Sequence, residues 1–167
     1  MIALAIDMSS LESFGDDLKS FEAALDQGMF WNDVIPFLSL KITEVFETKG
    51  YGQWKSLSPA YSTWKAKNYP DKDILRLTDT YYDAATQPGN SNNILEITGT
   101  RLFYGVKDIE YAGYHESGTK LLPTRSVFEL LVESEPFRQE LGDILSRSIN
   151  NLIDDIFKDR TTGDNKN

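Results

Sequence analysis

The 167-residue chain contains no cysteine and a single histidine, His115. Without cysteine there is no disulfide, no thiolate nucleophile and no sulfur-liganded metal, and nothing marks the redox compartment. One imidazole also excludes a multi-histidine metal site within one copy. Oxygen-liganded calcium or magnesium stays open, yet no Asp-rich loop of EF-hand spacing occurs, so no cofactor is expected. Long apolar runs are missing too. None approaches the roughly 20 residues that a membrane-spanning helix needs. The opening stretch Met1–Ile6 lacks a basic lead and runs straight into Asp7, unlike a signal peptide. The expectation is a soluble protein made in the cytoplasm, with no membrane partner.

Basic charge is scarce and unevenly placed. Against a net charge of −9, residues 1–47 carry −7, residues 48–125 carry +2 and the remainder −4. Binding phosphates over the whole surface requires clustered Lys and Arg, which the acidic ends do not offer. The near-neutral middle leaves room for a charged partner locally. Acidic helical faces are in most proteins simply solvated.

What is present is a sizeable apolar content, 40%, with 12% aromatics. A chain of this length and composition buries a real core. Residues 1–160 are read as one domain and residues 161–167 as a disordered tail.

Residues 2–8 are β-prone and read as a strand. Ser9 and Glu12 fit a capping box, and Leu11, Phe14, Leu18, Phe21 and Leu25 recur at helical spacing on one face. After a break at Gly28, the stripe continues through Val34, Phe37, Leu38, Ile42, Val45 and Phe46, with Pro36 tolerable if Asn32 or Asp33 caps the helix. That helix should end near Lys49-Gly50, glycine taking the left-handed exit. Ser58 followed by Pro59 starts a short helix over 59–67, and Thr78 is expected to cap the next. Residues 94–98 and 101–106 form the arms of a hairpin turning at Gly99-Thr100. Tyr111–Ser117 makes helical turns ended by Gly118, residues 119–125 are extended, and Val127–Val132 reads as a further strand. Ser134-Glu-Pro136 opens a long last helix with a broad apolar face. The class is α+β: a small, mainly antiparallel sheet packed against long N-terminal and C-terminal helices.

The search for chemistry finds little. His115-Glu116 is the one place where an acid/base pair can be argued, as in a hydrolase, but neighbours on a helix do not face each other. A lone histidine beside a glycine is more often a hydrogen-bonded packing residue. The glycines do not space as a phosphate loop. Trp54, Trp64, Tyr81 and Tyr82 have the faces to stack nucleic-acid bases, but so few bases accompany them that core or interface packing is the better reading. Lys65 and Lys67 alone make too thin a patch for nucleic acid. The expectation is a protein that is not an enzyme.

The order of several turn-and-aromatic segments resembles the phage virion morphogenesis family, the tail-completion proteins of long-tailed bacteriophages. The segments are Phe46 with Gly50 and Gly52, then Trp54 with Leu57-Ser58-Pro59, then Leu75 with Leu77-Thr78. Tyr111-Ala112 with His115 and Gly118 follows, and Pro123-Thr124-Arg125 with Phe128 comes last before the final helix. They run in the family's order over nearly the whole chain. Where the family reads Pro-Ala-Arg-Pro-Phe-Leu, this chain has Thr124 and then Ser126-Val127.

The resemblance implies a structural subunit of the virion, assembled in the host cytoplasm, that forms a ring at the head–tail junction and completes the tail or neck. The ring it implies is six-fold or twelve-fold. Its partners would be further copies and the head–tail adaptor, tail terminator or tail tube proteins, with genomic DNA passing through the lumen without sequence-specific binding. The candidate interface residues are Trp54, Leu57, Ser58, Pro59, Trp64, His115, Pro123, Arg125 and Phe128, with most of the contact expected from Tyr51–Pro59 and Leu121–Phe128. The competing reading is a small cytoplasmic adaptor or binding module.

Overall fold

The computed structural model describes residues 9–26, 28–98 and 101–157. The expected strand over 2–8, the hairpin turn at Gly99-Thr100 and the tail 161–167 lie outside them, as do the side chains of the Ser9–Glu12 capping box. Among the described residues, seven helices accompany one two-stranded antiparallel sheet, the expected α+β class.

Helix α1 (Ser9–Asp26) is followed by a turn at Gly28, whose φ of 65° is left-handed, and by α2 (Trp31–Glu47). The predicted stripe of α2 is the heart of the core: Val34, Phe37, Ile42, Val45 and Phe46 are all buried. Its start differs from expectation. Neither Asn32 nor Asp33 caps it, because the helix already begins at Trp31, and the cap position, Phe30, makes no side-chain bond. Pro36 therefore falls in the second turn, where its missing N–H leaves the helical bond to Asn32 unmade. The Asp33 carboxylate instead accepts a 2.6 Å bond from the Ser148 hydroxyl and so ties α2 to the last helix.

The exit from α2 follows the glycine expectation but is longer. Lys49, Gly50, Tyr51 and Gly52 all have positive φ, and this left-handed run turns the chain back on itself. The N–H of Trp54 then reaches the carbonyl of Lys49 at 3.1 Å, which aims the indole into the core. Helix α3 (Pro59–Asn68) begins as expected: Pro59 is at the first position, and the Ser58 hydroxyl accepts from the Tyr61 N–H at 3.4 Å. Thr78 does not cap helix α4 (Thr80–Thr86). Asp79 occupies that position with φ 59°, and its carboxylate is taken by Lys72 and Arg76 rather than by the helix N–H groups. An ion pair thus stands where a hydroxyl cap was expected.

Strands β1 (Asn93–Thr98) and β2 (Arg101–Val106) pair from Asn93↔Val106 to Thr98↔Arg101. The hairpin is tied to α4 by the Asn93 amide donating to the Ala84 carbonyl and by the Tyr104 hydroxyl donating to that of Ala85. Helix α5 (Glu110–Ser117) ends at Gly118, φ 71°, as expected. The apolar run expected as a strand over 127–132 is instead helix α6 (Phe128–Glu133). The Ser126 hydroxyl accepts from the Glu129 N–H at 3.0 Å, so a local side-chain cap outweighs the β-propensity of the run. Helix α7 (Glu135–Phe157) packs on α1 and α2.

The core gathers around Phe46, whose ring meets Trp54, Tyr81 and Tyr82 edge-on at 5.2 to 5.8 Å. Tyr81, Phe46 and Val127 are fully enclosed, each side chain contributing about 1.5–3 kcal/mol of burial. Among the described residues, no helix is long and apolar enough to cross a membrane, and no group of three acidic or histidine side chains is placed to hold a metal.

Candidate functional site

Four of the five segments singled out in the sequence meet in space. The strand-like stretch after Trp54, the start of α3, the loop 74–78, one face of α5 and the segment 121–125 together wall a groove of about 970 Å³. Its floor and sides are largely apolar: Leu57, Pro59 and Tyr61 from one side, Ile74, Leu75 and Leu77 from another, and Leu121, Leu122 and Pro123 from the third.

Two side chains, one buried and one half-buried, hold these walls together. Arg125 is buried; its Nε donates to the Lys55 carbonyl at 2.9 Å and Nη2 to that of Ser56 at 3.2 Å. Its own N–H donates to the His115 carbonyl at 2.7 Å, so one residue fastens three segments. Among the described residues, no carboxylate pairs with the guanidinium. Burial alone holds its pKa below the usual arginine value. Glu116 is the second fastener. Its carboxylate accepts from the Tyr81 hydroxyl at 2.6 Å, the Ser126 hydroxyl at 2.8 Å and the Val127 N–H at 2.8 Å. Burial, with the Glu116 charge beside it, drives the Tyr81 phenol far above its ordinary value and keeps it a donor.

Beneath the groove lies Trp54. Its indole Nε1 donates to the Ser126 carbonyl at 2.9 Å, and the ring sits against Gly50, where an added Cβ would come within 2.3 Å. On the opposite wall, Lys65 is buried with its ammonium on the Asp73 carbonyl, and burial lowers its pKa. His115 faces the groove with a buried Nδ1 that has no partner among the described residues. Burial, then the nearby Arg125 charge, lowers its pKa, and Glu116 opposes them only in part.

Of the nine candidate interface residues, the fold brings Leu57, Ser58, Pro59, His115, Pro123 and Arg125 to this groove. Trp54 and Phe128 do not reach its surface: Trp54 is a core residue, and Phe128 packs against the core from α6. Trp64 stands outside the groove on the exposed side of α3, stacked on Tyr61 at 5.4 Å and tilted against Tyr69 at 5.6 Å. His115 and Glu116 point to different surroundings, the first to the groove and the second to donors inside the fold, as expected for neighbours on a helix.

Sequence reasoning missed Lys65 as a groove residue, whereas Leu121 and Leu122 lie within the stretch Leu121–Phe128 from which contact was expected, and Ile74 adjoins Leu75 of the resembling segment. Lys65 carried a signal, since it follows Tyr61 by four residues and so shares its helical face. Leu121 is 93% exposed, an apolar side chain in a turn held by the Thr119 hydroxyl, and only the fold shows that it rims a groove. Comparison of the chain with protein-family models, with curated proteins and with solved structures found no match.

Proposed function

We propose that the chain is a structural subunit of a phage virion, forming a ring at the head–tail junction that completes the tail or neck and joins it to the head. The reading starts from the ordered segments that resemble the tail-completion family. The observation that carries it is their convergence: four of them, distant in sequence, wall one open apolar groove. Such a groove, rimmed by exposed leucines and flanked by the exposed Tyr61, Trp64 and Tyr69, is what a protein-docking surface requires. Its fasteners are structural bonds among main-chain carbonyls and buried hydroxyls, which make the walls they join rigid before a partner arrives. In a ring, the acidic helices would repel DNA phosphates from the walls of the lumen.

A small cytoplasmic binding module would use the same groove, and location separates the two. Gold-labelled antibody against the chain, applied to particles from a lysate of its encoding genome, is expected to mark the junction of head and tail. Label found only in the soluble fraction would favour the binding module.

A further inference from the structure

Arg125 bonds to Lys55, Ser56 and His115, and Glu116 to Tyr81, Ser126 and Val127. These fasteners act on segments other than the wall that carries Ile74, Leu75 and Leu77. That wall belongs to the stretch 69–79, between the end of α3 and the start of α4. None of its residues is buried, although Ile74 and Leu75 rest half-buried on the core. Charged side chains then hold it. Lys49 pairs with Asp73 at 2.9 Å, the Lys65 ammonium meets the Asp73 carbonyl, and Lys72 and Arg76 both close on the Asp79 carboxylate. The Arg76 guanidinium also lies over the Tyr82 ring, 3.8 Å from its centre.

This hold works against the backbone. Leu75, φ 61°, and Asp79, φ 59°, are left-handed although neither is glycine. Such a conformation persists only while surrounding contacts impose it. The contacts here include partly exposed ion pairs, which are individually weak and screened by salt. Segments with few buried contacts are the first to open locally while the rest of a domain stays folded. We propose that residues 69–79 form a hinged wall, latched shut through Asp73 and Asp79, that opens and widens the groove without unfolding the domain. Opening uncovers Lys65, whose ammonium otherwise rests on the Asp73 carbonyl. The latch is a property of the groove itself and holds whether the chain serves a particle or a soluble complex.

Trypsin cleavage of the folded full chain at the Arg76–Leu77 bond tests it, since the guanidinium must leave Asp79 and Tyr82 to enter the protease. Initial rates are followed by mass spectrometry and divided by those of a synthetic peptide spanning 70–82. Asp79→Asn removes the latch charge while keeping a residue that tolerates the left-handed conformation. This variant should melt within a few degrees of the parent and be cut at least about tenfold faster. Raising salt from about 0.05 M to about 0.5 M should speed cleavage of the parent severalfold, and of the variant less. That arm needs no substitution and decides the matter should the variant misfold. In both proteins the rate should hardly respond to urea well below the unfolding transition, because local opening exposes little surface. A rate that climbs with urea as steeply as global unfolding does means that the wall moves only with the whole domain, which overturns the hinge. An Asp79→Asn rate equal to the parent's, or a parent rate indifferent to salt, overturns the latch. Neither result moves the antibody labelling of particles, which judges the virion reading independently.

Discussion

The indole nitrogen of Trp54 and the main-chain oxygen of Ser126 lie 2.9 Å apart although 72 residues separate them in sequence. That bond joins two walls of the groove at their base, because the chain following Trp54 and the chain preceding Ser126 each line it. Replacing Trp54 by Phe keeps an aromatic but leaves the buried Ser126 carbonyl without its donor, at a cost of about 1–3 kcal/mol. For a chain of this length, each kcal/mol lowers the melting temperature by roughly 2–4 °C. Calorimetry should show that drop with the transition still cooperative. An unchanged melting temperature would mean that the bond contributes nothing to the fold.

Gly50 is where the left-handed exit from α2 and the Trp54 ring meet. With φ 67° and a Cβ position 2.3 Å from indole atoms, Gly50→Ala meets both backbone strain and a clash. A loss of about 2–4 kcal/mol is expected in urea unfolding. Gly52, also left-handed but with open space around its Cβ position, should lose only about 1 kcal/mol on the same change. Equal losses at the two sites would contradict the packing account.

Arg125 donates through a planar fork to two carbonyls, which a lysine ammonium cannot reproduce at both. Arg125→Lys is expected to lower stability by about 1–3 kcal/mol while keeping the charge. Amide hydrogen exchange should rise along 55–59 and 111–118 together, since one side chain fastens both. Faster exchange in one stretch alone would show that they are not coupled.

His115 supplies a pH dependence with a definite sign. Its folded pKa lies below 6.5, from burial and then the Arg125 charge, so below that pH the unfolded chain binds the proton more readily than the folded one. Stability from this group is therefore present above pH 6.5 and falls as pH drops through and below that value. His115→Gln should flatten the decline in unfolding free energy between about pH 7 and pH 5. An unchanged slope would place the cause elsewhere, with the carboxylates. Asp79 acts at lower pH: burial raises its pKa, but bonds from Lys72 and Arg76 outweigh this and depress it, so its share of stability is lost as pH falls through the carboxylate range.

Much of the frame was legible in the sequence, because helix stripes and turn residues act locally. The buried face of α2, the Ser58-Pro59 start of α3, the hairpin arms and the Gly118 stop of α5 all follow from spacing and backbone chemistry. The failures have the opposite cause. Val127–Val132 looked like a strand because its residues favour one, and it was overridden by the Val127 N–H bonding to Glu116, eleven residues away, together with the local Ser126 bond to the Glu129 N–H. Thr78 looked like a cap until an ion pair from Lys72 and Arg76 fixed Asp79 instead. For the site, the segments were visible but their roles were not. Trp54 and Arg125 stood out by type, yet their bonds reach across about 70 residues and face inward. Leu121 lay in the stretch expected to make contact, but its place at the rim of a groove showed only in the fold.

The central claim is that the groove is an assembly surface of a particle. Electron microscopy of lysates from the encoding genome, carrying Leu121→Asp with Leu122→Asp, tests it most directly. Both side chains are exposed, so the protein should accumulate and melt as the parent does. The account predicts separate heads and tails in place of joined particles. Joined particles at the parental proportion, with the variant present and folded, would contradict it.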